Sequence, residues 1–337
     1  MSVGMPRLLV TLPNVKLADA PRVVLIDPAT GRTTLPRLPE EIGQARGITG
    51  AALADGRLYL VAHEPPSVHV LGPTLELEQS WSLGPMGAPH SIVVDAAAAF
   101  VVATAADTVV RLELKDGHVI GQDSFWRGAD GSEPDQLHLN GLCRHDGRLV
   151  VSGFGRRAPK SLWADARDGF LQDVGSGEIL ARDLANPHSP TPATGDLVLC
   201  ESSESLVRTL DGSRSVRLTG YTRGVAVVGD DVFVGVSRGR RLSESSGVVG
   251  NPADPGRPTG VCSVHRLARA TLEPREAYDL SGLGREIYDV LHIPDTSDWP
   301  LLDEDEARTR LVRSVWDAYE IALVELAESR AAQTSGS

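Results

Sequence analysis

Five segments of the chain share one rhythm: a polar or glycine start, an apolar run, a tight turn and a second apolar run. They read TGAALADGRLYLVA (49–62), HSIVVDAAAAFVVAT (90–104), NGLCRHDGRLVVSG (140–153), HSPTPATGDLVLCES (188–202) and RGVAVVGDDVFVGVS (223–237). Apolar runs flanking such turns predict β-hairpins. A sixth candidate, EIYDVLHIP (286–294), lacks the second run. Further strand-like runs lie between them, including SVHVLG (67–72), TVVRLEL (108–114) and SVHRL (263–267). Four short strands per repeat, repeated five or six times, predict an all-β fold, a six-bladed β-propeller. A parallel α/β fold needs helical patterns of about 10–15 residues between strands, and these are absent. A β-sandwich or β-helix with coincident turns is the alternative.

The last segment changes period. From Asp303, DEDEARTRLVRSVWDAYEIALVELAESR carries apolar residues at Leu311, Val315, Trp316, Tyr319, Leu323, Val324 and Leu326. This spacing predicts a C-terminal α-helix over 303–330, its acidic start suited to the helix dipole. The expected organisation is a propeller over 1–302, then the helix packed on it or on a second copy in a homo-oligomer, then a disordered tail over 331–337.

Composition narrows the function classes. The 337 residues carry a formal net charge of −12, with 33 basic and 45 acidic side chains and no basic stripe, which argues against a nucleic-acid partner. No apolar stretch approaches the roughly 18 residues of a membrane helix, and the opening residues lack the h-region of a signal peptide. Cys143, Cys200 and Cys262 form no paired Cys-x-x-Cys motif, so a reducing, cytoplasmic setting is expected. Ala, Arg and Pro richness fits a high-GC bacterial source.

In a propeller, equivalent inner-strand starts converge on the central axis. This register brings together Thr49, His90, Asn140, His188, Arg223 and Glu286, with His90 and His188 as one structural position used in the second and fourth repeats. His138, two residues before Asn140, faces the same side of an extended strand. Three imidazoles (His90, His138, His188) and the Glu286 carboxylate have the inventory of a divalent transition-metal site for Zn, Fe, Mn, Ni or Cu, with calcium disfavoured. Arg223 would hold the anionic group of a small-molecule substrate. Glu286 would be ligand or base, Asn140 ligand or hydrogen-bonding group, and Tyr221 or Tyr288 an acid or stacking residue, with buried packing the plainer role for both. His63, His69, His118, His145, His265 and His292 are set aside as lying in second strands, turns or outer strands. Glu64 and Glu201, which follow second strands, are expected away from the mouth. Arg238, Arg240 and Arg241 lie in a Gly/Ser/Arg-rich loop.

The motifs DQLHLNGLCRHDGRL (135–149), NPHSP (186–190), GYTRGVAVVGDDVFVGVS (220–237) and EIYDV (286–290) resemble those of an uncharacterised bacterial six-bladed β-propeller family. Its members are sometimes encoded near sulfotransferases or glycosyltransferases, which implies a biosynthetic setting. More distantly, the Asn-Gly-Leu start at 140–142 is similar to the gluconolactonase, paraoxonase and strictosidine-synthase propellers. There a channel-mouth ion, often calcium, is held by Glu, Asn and Asp, and Asn140 matches such a ligand position. His90, His188 and Arg223 depart from that pattern. The expectation is a metal-dependent hydrolase, lyase or isomerase acting on an anionic, oxygenated metabolite. A metal-free His acid/base enzyme and a non-catalytic ligand- or protein-binding propeller are the alternatives.

Overall fold

A computed structural model describes residues 5–15, 20–156, 163, 166–238, 242–243, 248–249, 260–313, 319 and 323. Among the described residues there are six four-stranded antiparallel sheets and one two-stranded ladder, Leu242–Ser243 with Val248–Val249. Arg240 and Arg241 fall outside the described residues.

The predicted turns account for the hairpins. Asp55 and Gly56 take φ of 48° and 75°, and Asp146 and Gly147 take 48° and 77°. Two successive positive φ values give the turn whose twist matches that of the flanking strands. From the axis outward, blade 1 is Ile48–Ala54, Arg57–Ala62, Ser67–Leu71 and Leu77–Ser82. Blade 2 is Pro89–Val94, Ala98–Ala103, Thr108–Lys115 and His118–Arg127. Blade 3 is Leu139–His145, Arg148–Gly153, Gly169–Asp173 and Ile179–Leu184. Blade 4 is Pro187–Ala193, Asp196–Glu201, Leu206–Thr209 and Ser215–Arg217. Blade 5 is Tyr221–Val228, Asp231–Ser237, Ser263–Ala268 and Pro274–Asp279.

Blade 6 joins the two ends of the chain. Its inner strand is Val290–Ile293, followed outward by Arg7–Thr11, Val23–Ile26 and Thr33–Thr34. The run missing after 286–294 is therefore RLLVT, at the opposite end of the sequence. Val290 pairs with Val10 and Leu291 with Leu9.

Second strands are buried on both faces and read as continuous apolar runs. Alternate residues face opposite neighbours. Leu8 and Val10 join Phe233, Val264 and Tyr278 between blades 5 and 6. Leu9 joins Leu58, Leu60 and Leu71 between blades 6 and 1. The cysteines are free and buried in these layers, which pushes their thiols up to about 12. The C-terminal helix occupies 304–313. Asp303 Oδ1 accepts the Glu306 amide at 2.8 Å while Glu306 Oε2 accepts the Asp303 amide at 3.2 Å, a reciprocal cap that starts the helix. Ala307 and Leu311 pack on the core between blades 5 and 6. Val315, Trp316, Val324 and Leu326 of the predicted stripe lie outside the described residues.

The inner strands alternate in how they meet. Ser91 Oγ accepts the Leu142 amide (3.1 Å), Ser189 Oγ the Gly224 amide (2.8 Å) and Asp289 Oδ2 the Ala51 amide (3.2 Å). Each clip runs from an even-numbered blade to the next odd one. At the other three junctions a glycine leaves room for the next strand. A Cβ on Gly50 would meet Ser91 Cα at 2.9 Å, one on Gly141 Ser189 N at 3.2 Å, and one on Gly224 Asp289 C at 2.9 Å.

Candidate functional site

This alternation defines which residues are equivalent. The residue before each glycine or clip is Thr49, His90, Asn140, His188, Arg223 or Tyr288, and these six form a collar around the axis. Five are the residues expected from the sequence. The sixth is Tyr288, two positions beyond Glu286. Ring contacts bear this out: Tyr288 lies 4.7 Å from His90 and 6.5 Å from His188, centroid to centroid, and the Arg223 guanidinium sits 4.8 Å from its ring centre. Glu286 belongs to the outer tier with His138, since each stands two residues ahead of its collar position.

Local backbone repeats where the chemistry repeats. The residues two before and one after His90 are Ala88 and Ser91, with φ of 52° and 41°; around His188 they are Asn186 and Ser189, with 54° and 49°. Left-handed φ at non-glycine residues is costly and persists where surrounding bonds enforce it. A short turn after each second strand supplies such bonds. Thr104 Oγ1 donates to Leu139 O and Ser202 Oγ donates to Thr222 O, tying each blade to the next. A hydroxyl has one hydrogen, so toward the imidazoles each oxygen acts as acceptor. His90 Nδ1–H therefore donates to Thr104 Oγ1 (2.8 Å), and His188 Nδ1–H donates to Ser202 Oγ (2.7 Å) and Asn186 O (3.1 Å). Both rings are held in one tautomer, leaving the Nε2 lone pair for a ligand. Burial drives both pKa values well below the ordinary histidine value; His63, His138, His188 and Arg223 add to it at His90, and Arg223 and His138 at His188. Both are neutral at pH 7.

His138 is held by a carboxylate. Its Nδ1 lies 2.9 Å from Asp135 Oδ1, and Asp135 Oδ2 accepts the Trp163 indole N–H at 2.9 Å. Buried Asp107 fixes the loop below by accepting the Gln136 and Leu137 amides (2.5 and 3.1 Å). His138 itself has φ of 50°. Phe154 bridges the imidazoles, 4.5 Å from His138 and 5.0 Å from His188. Asn140 Oδ1 accepts from Ser152 Oγ at 3.0 Å, which commits its carbonyl oxygen to the scaffold.

Arg223 is buried, donating through Nε to Ile287 O and through Nη2 to Glu286 Oε2 at 2.7 Å. Asn14 also donates to Glu286 Oε2, at 3.3 Å. Glu286 is thus the counter-ion of Arg223 and not the fourth member of a His cluster. Among the described residues no three His, Cys, Asp or Glu side chains gather closely enough to hold a metal ion. The expected ligand set His90, His138, His188 and Glu286 is therefore not gathered among the described residues: Tyr288 lies against His90 and His188, Phe154 against His138 and His188, and Glu286 is bonded to Arg223.

His63, set aside on sequence, joins the site: its ring stacks on His90 at 6.1 Å. The reason is antiparallel pairing. A second strand ends where its inner strand begins, as Ile48 opposite Ala62 and Pro187 opposite Glu201 show. Glu201 also lies at this face, contrary to expectation, but its oxygens hold the Ala185 amide and Arg208 (2.9 and 3.1 Å). Glu64 pairs with Arg46 at the surface. Tyr221 completes the aromatic wall, 5.4 Å from His188.

Residues 79–301 match the family described as a domain of unknown function (DUF4915). The chain belongs to this family. The match begins in the outer strand of blade 1 and leaves out the N-terminal strands that close blade 6. No curated protein matches this DUF4915 chain. Among solved structures, it is similar to a nidogen/laminin complex (13% identity, TM-score 0.60, 86% of this chain and 100% of that one). It is also similar to a protein of unknown function from Bacteroides caccae (11%, 0.54, 86% and 98%). A luciferin-regenerating enzyme follows at 12% identity and TM-score 0.50, covering 69% and 76%. At such identities the likeness concerns the fold. No helix among the described residues is long and apolar enough to cross a membrane.

Proposed function

We propose that this DUF4915 propeller is an enzyme that moves protons on a small, oxygenated anion at the collar, in a hydrolase, lyase or isomerase reaction without a metal ion. One observation carries the reading: three imidazoles are held at Nδ1 by three different acceptors, Thr104, Ser202 and Asp135, around a buried guanidinium. Core His69 is also held at Nδ1, by Ser80 Oγ at 2.8 Å, but its Nε2 is bonded to Ser67, whereas His90, His138 and His188 keep Nε2 unbonded in the described hydrogen bonds.

Roles follow from the chemistry of each group. His138 Nε2 is the general base, because the Asp135 carboxylate stabilises the imidazolium formed when it takes a proton. His90 and His188, neutral and presenting Nε2, accept hydrogen bonds from substrate hydroxyls and orient them. Arg223, whose Nη1 has no protein partner in the described hydrogen bonds, receives the anionic group while Glu286 holds the guanidinium in place. Tyr288 and Phe154 form the apolar walls that keep water from the reacting atoms.

The test is incubation of a bacterial metabolite extract with wild-type protein, His138→Gln and Arg223→Gln, followed by untargeted mass spectrometry. At least one anion should disappear with wild type and persist with both variants. If an anion binds but is never consumed, the protein is a binding propeller and the catalytic roles fall.

A further inference from the structure

Beyond the collar lies a cavity of about 300 Å³ lined by residues of all six inner strands. Its walls are largely apolar: Ile92, Val93, Leu142, Val225, Val290 and Leu291. His188 and Tyr288 form its ceiling, and Arg144 and the exposed Pro192 lie at its far end. Among the described residues one carboxylate, Asp289, faces this space.

Asp289 stands where blades 2 and 4 have Ser91 and Ser189. All three clip the next blade, and a serine hydroxyl suffices for that purpose twice. The clip does not explain the charge. Oδ2 accepts the Ala51 amide (3.2 Å) and Oδ1 the Val290 amide (2.9 Å), and among the described residues no ion pair reaches it. Among the described residues the charged and titratable groups facing it across the cavity are Tyr288 beside it in the chain, His188 from blade 4, and Cys143 and Arg144 from blade 3. Arg144 is already paired with Asp95. Burial raises the Asp289 carboxyl to about 6, so it is charged at neutral pH. A carboxylate facing apolar walls without a counter-ion is an unfavourable arrangement that a bound cation would relieve.

We propose that the chamber beneath the collar binds a small primary ammonium compound with an apolar body, with the Asp289 carboxylate as its counter-charge. A metal ion is the poorer occupant, since among the described residues no group of three His, Cys, Asp or Glu side chains includes this carboxylate. An alkylammonium needs only one anion and an apolar wall, and the cavity volume is at the small end of ligand pockets. Asp289 lies below the collar, and the chamber shares Asn140, His188 and Tyr288 with the site proposed above it.

The test titrates the full-length protein with n-butylammonium chloride at pH 7.5 by calorimetry, with n-butanol and sodium butyrate as controls. Saturable binding of the ammonium is expected, with the alcohol and the carboxylate weaker by about tenfold or more. Asp289→Ser keeps a clip of the kind made in blades 2 and 4 and should lose about tenfold in ammonium affinity; Asp289→Asn serves if the serine variant folds poorly. Wild-type affinity should also fall as pH drops from 7.5 to 5, a dependence absent from the variant. Equal binding of alcohol and ammonium, unchanged affinity in a folded Asp289 variant, or no binding of n-butylammonium would each overturn the proposal.

Discussion

Odd and even blades use the same position differently. In blades 2, 4 and 6 the collar residue is an aromatic ring followed by a clip: His90–Ser91, His188–Ser189, Tyr288–Asp289. In blades 1, 3 and 5 it is a non-aromatic residue followed by glycine: Thr49–Gly50, Asn140–Gly141, Arg223–Gly224. Junctions therefore alternate between a side chain that accepts the next blade's amide and a backbone pressed close, where Thr49 and Arg223 instead donate to carbonyls of the next blade. The even blades carry the rings, and the odd blades leave space for them. A sixfold scaffold thus supports a site with near-threefold order.

Filling the space at an odd blade should have the largest effect. Gly224 has φ of 76° and Asp289 C would lie 2.9 Å from a new Cβ, so Gly224→Ala should cost about 3 kcal/mol in urea unfolding. A cost below about 1 kcal/mol would refute close packing at that junction.

The even blades should show themselves in acid. His90 and His188 have depressed pKa values, so the stability they support is present above pH 6.5 and drains away as pH falls toward their native values. Each should steepen the loss by up to about 1.4 kcal/mol per pH unit, and His90→Gln with His188→Gln should flatten the profile. Asp289 has the opposite sign. Its carboxyl is raised from 3.8 to about 6, so the stability it contributes is full below pH 3.8 and lost as pH rises through 6. Asp289→Ser should recover about 2 kcal/mol at pH 7.5, after allowing for water in the chamber.

Ser202→Ala should cost about 1 kcal/mol. Nitrogen NMR shifts of His188 should stay in the Nδ1–H tautomer, because Asn186 O remains, whereas His90 in Thr104→Val should become a mixture. The smallest effect expected is none: chelation should leave the melting temperature and any turnover unchanged, with metal content below about 0.2 equivalent.

Much of this was legible in the chain. Hairpin turns such as Asp55–Gly56 and Asp146–Gly147 encode their own geometry, so blades 1 to 5 could be registered locally. Blade 6 could not, because its pairing joins residues near 10 to residues near 290 and no local pattern expresses that distance. The misassignment of Glu286 has the same origin. Without the partner strand its register was free to slip, although the Gly-Ser-Gly-Ser-Gly order at 50, 91, 141, 189 and 224 pointed to a clip at 289. His63 and Phe154 were missed because they follow second strands, and antiparallel return brings those ends back to the mouth. Asp135 had no signal beyond its nearness to His138.

The two-ended sixth blade also bears on how the chain is made. During synthesis Arg7–Thr11 emerges early and must wait, one edge bare, until Val290–Ile293 leaves the ribosome. Through that interval its apolar residues are open to other nascent strands, so crowded overproduction should favour aggregates seeded at this segment, and cooler, slower expression should spare the chain.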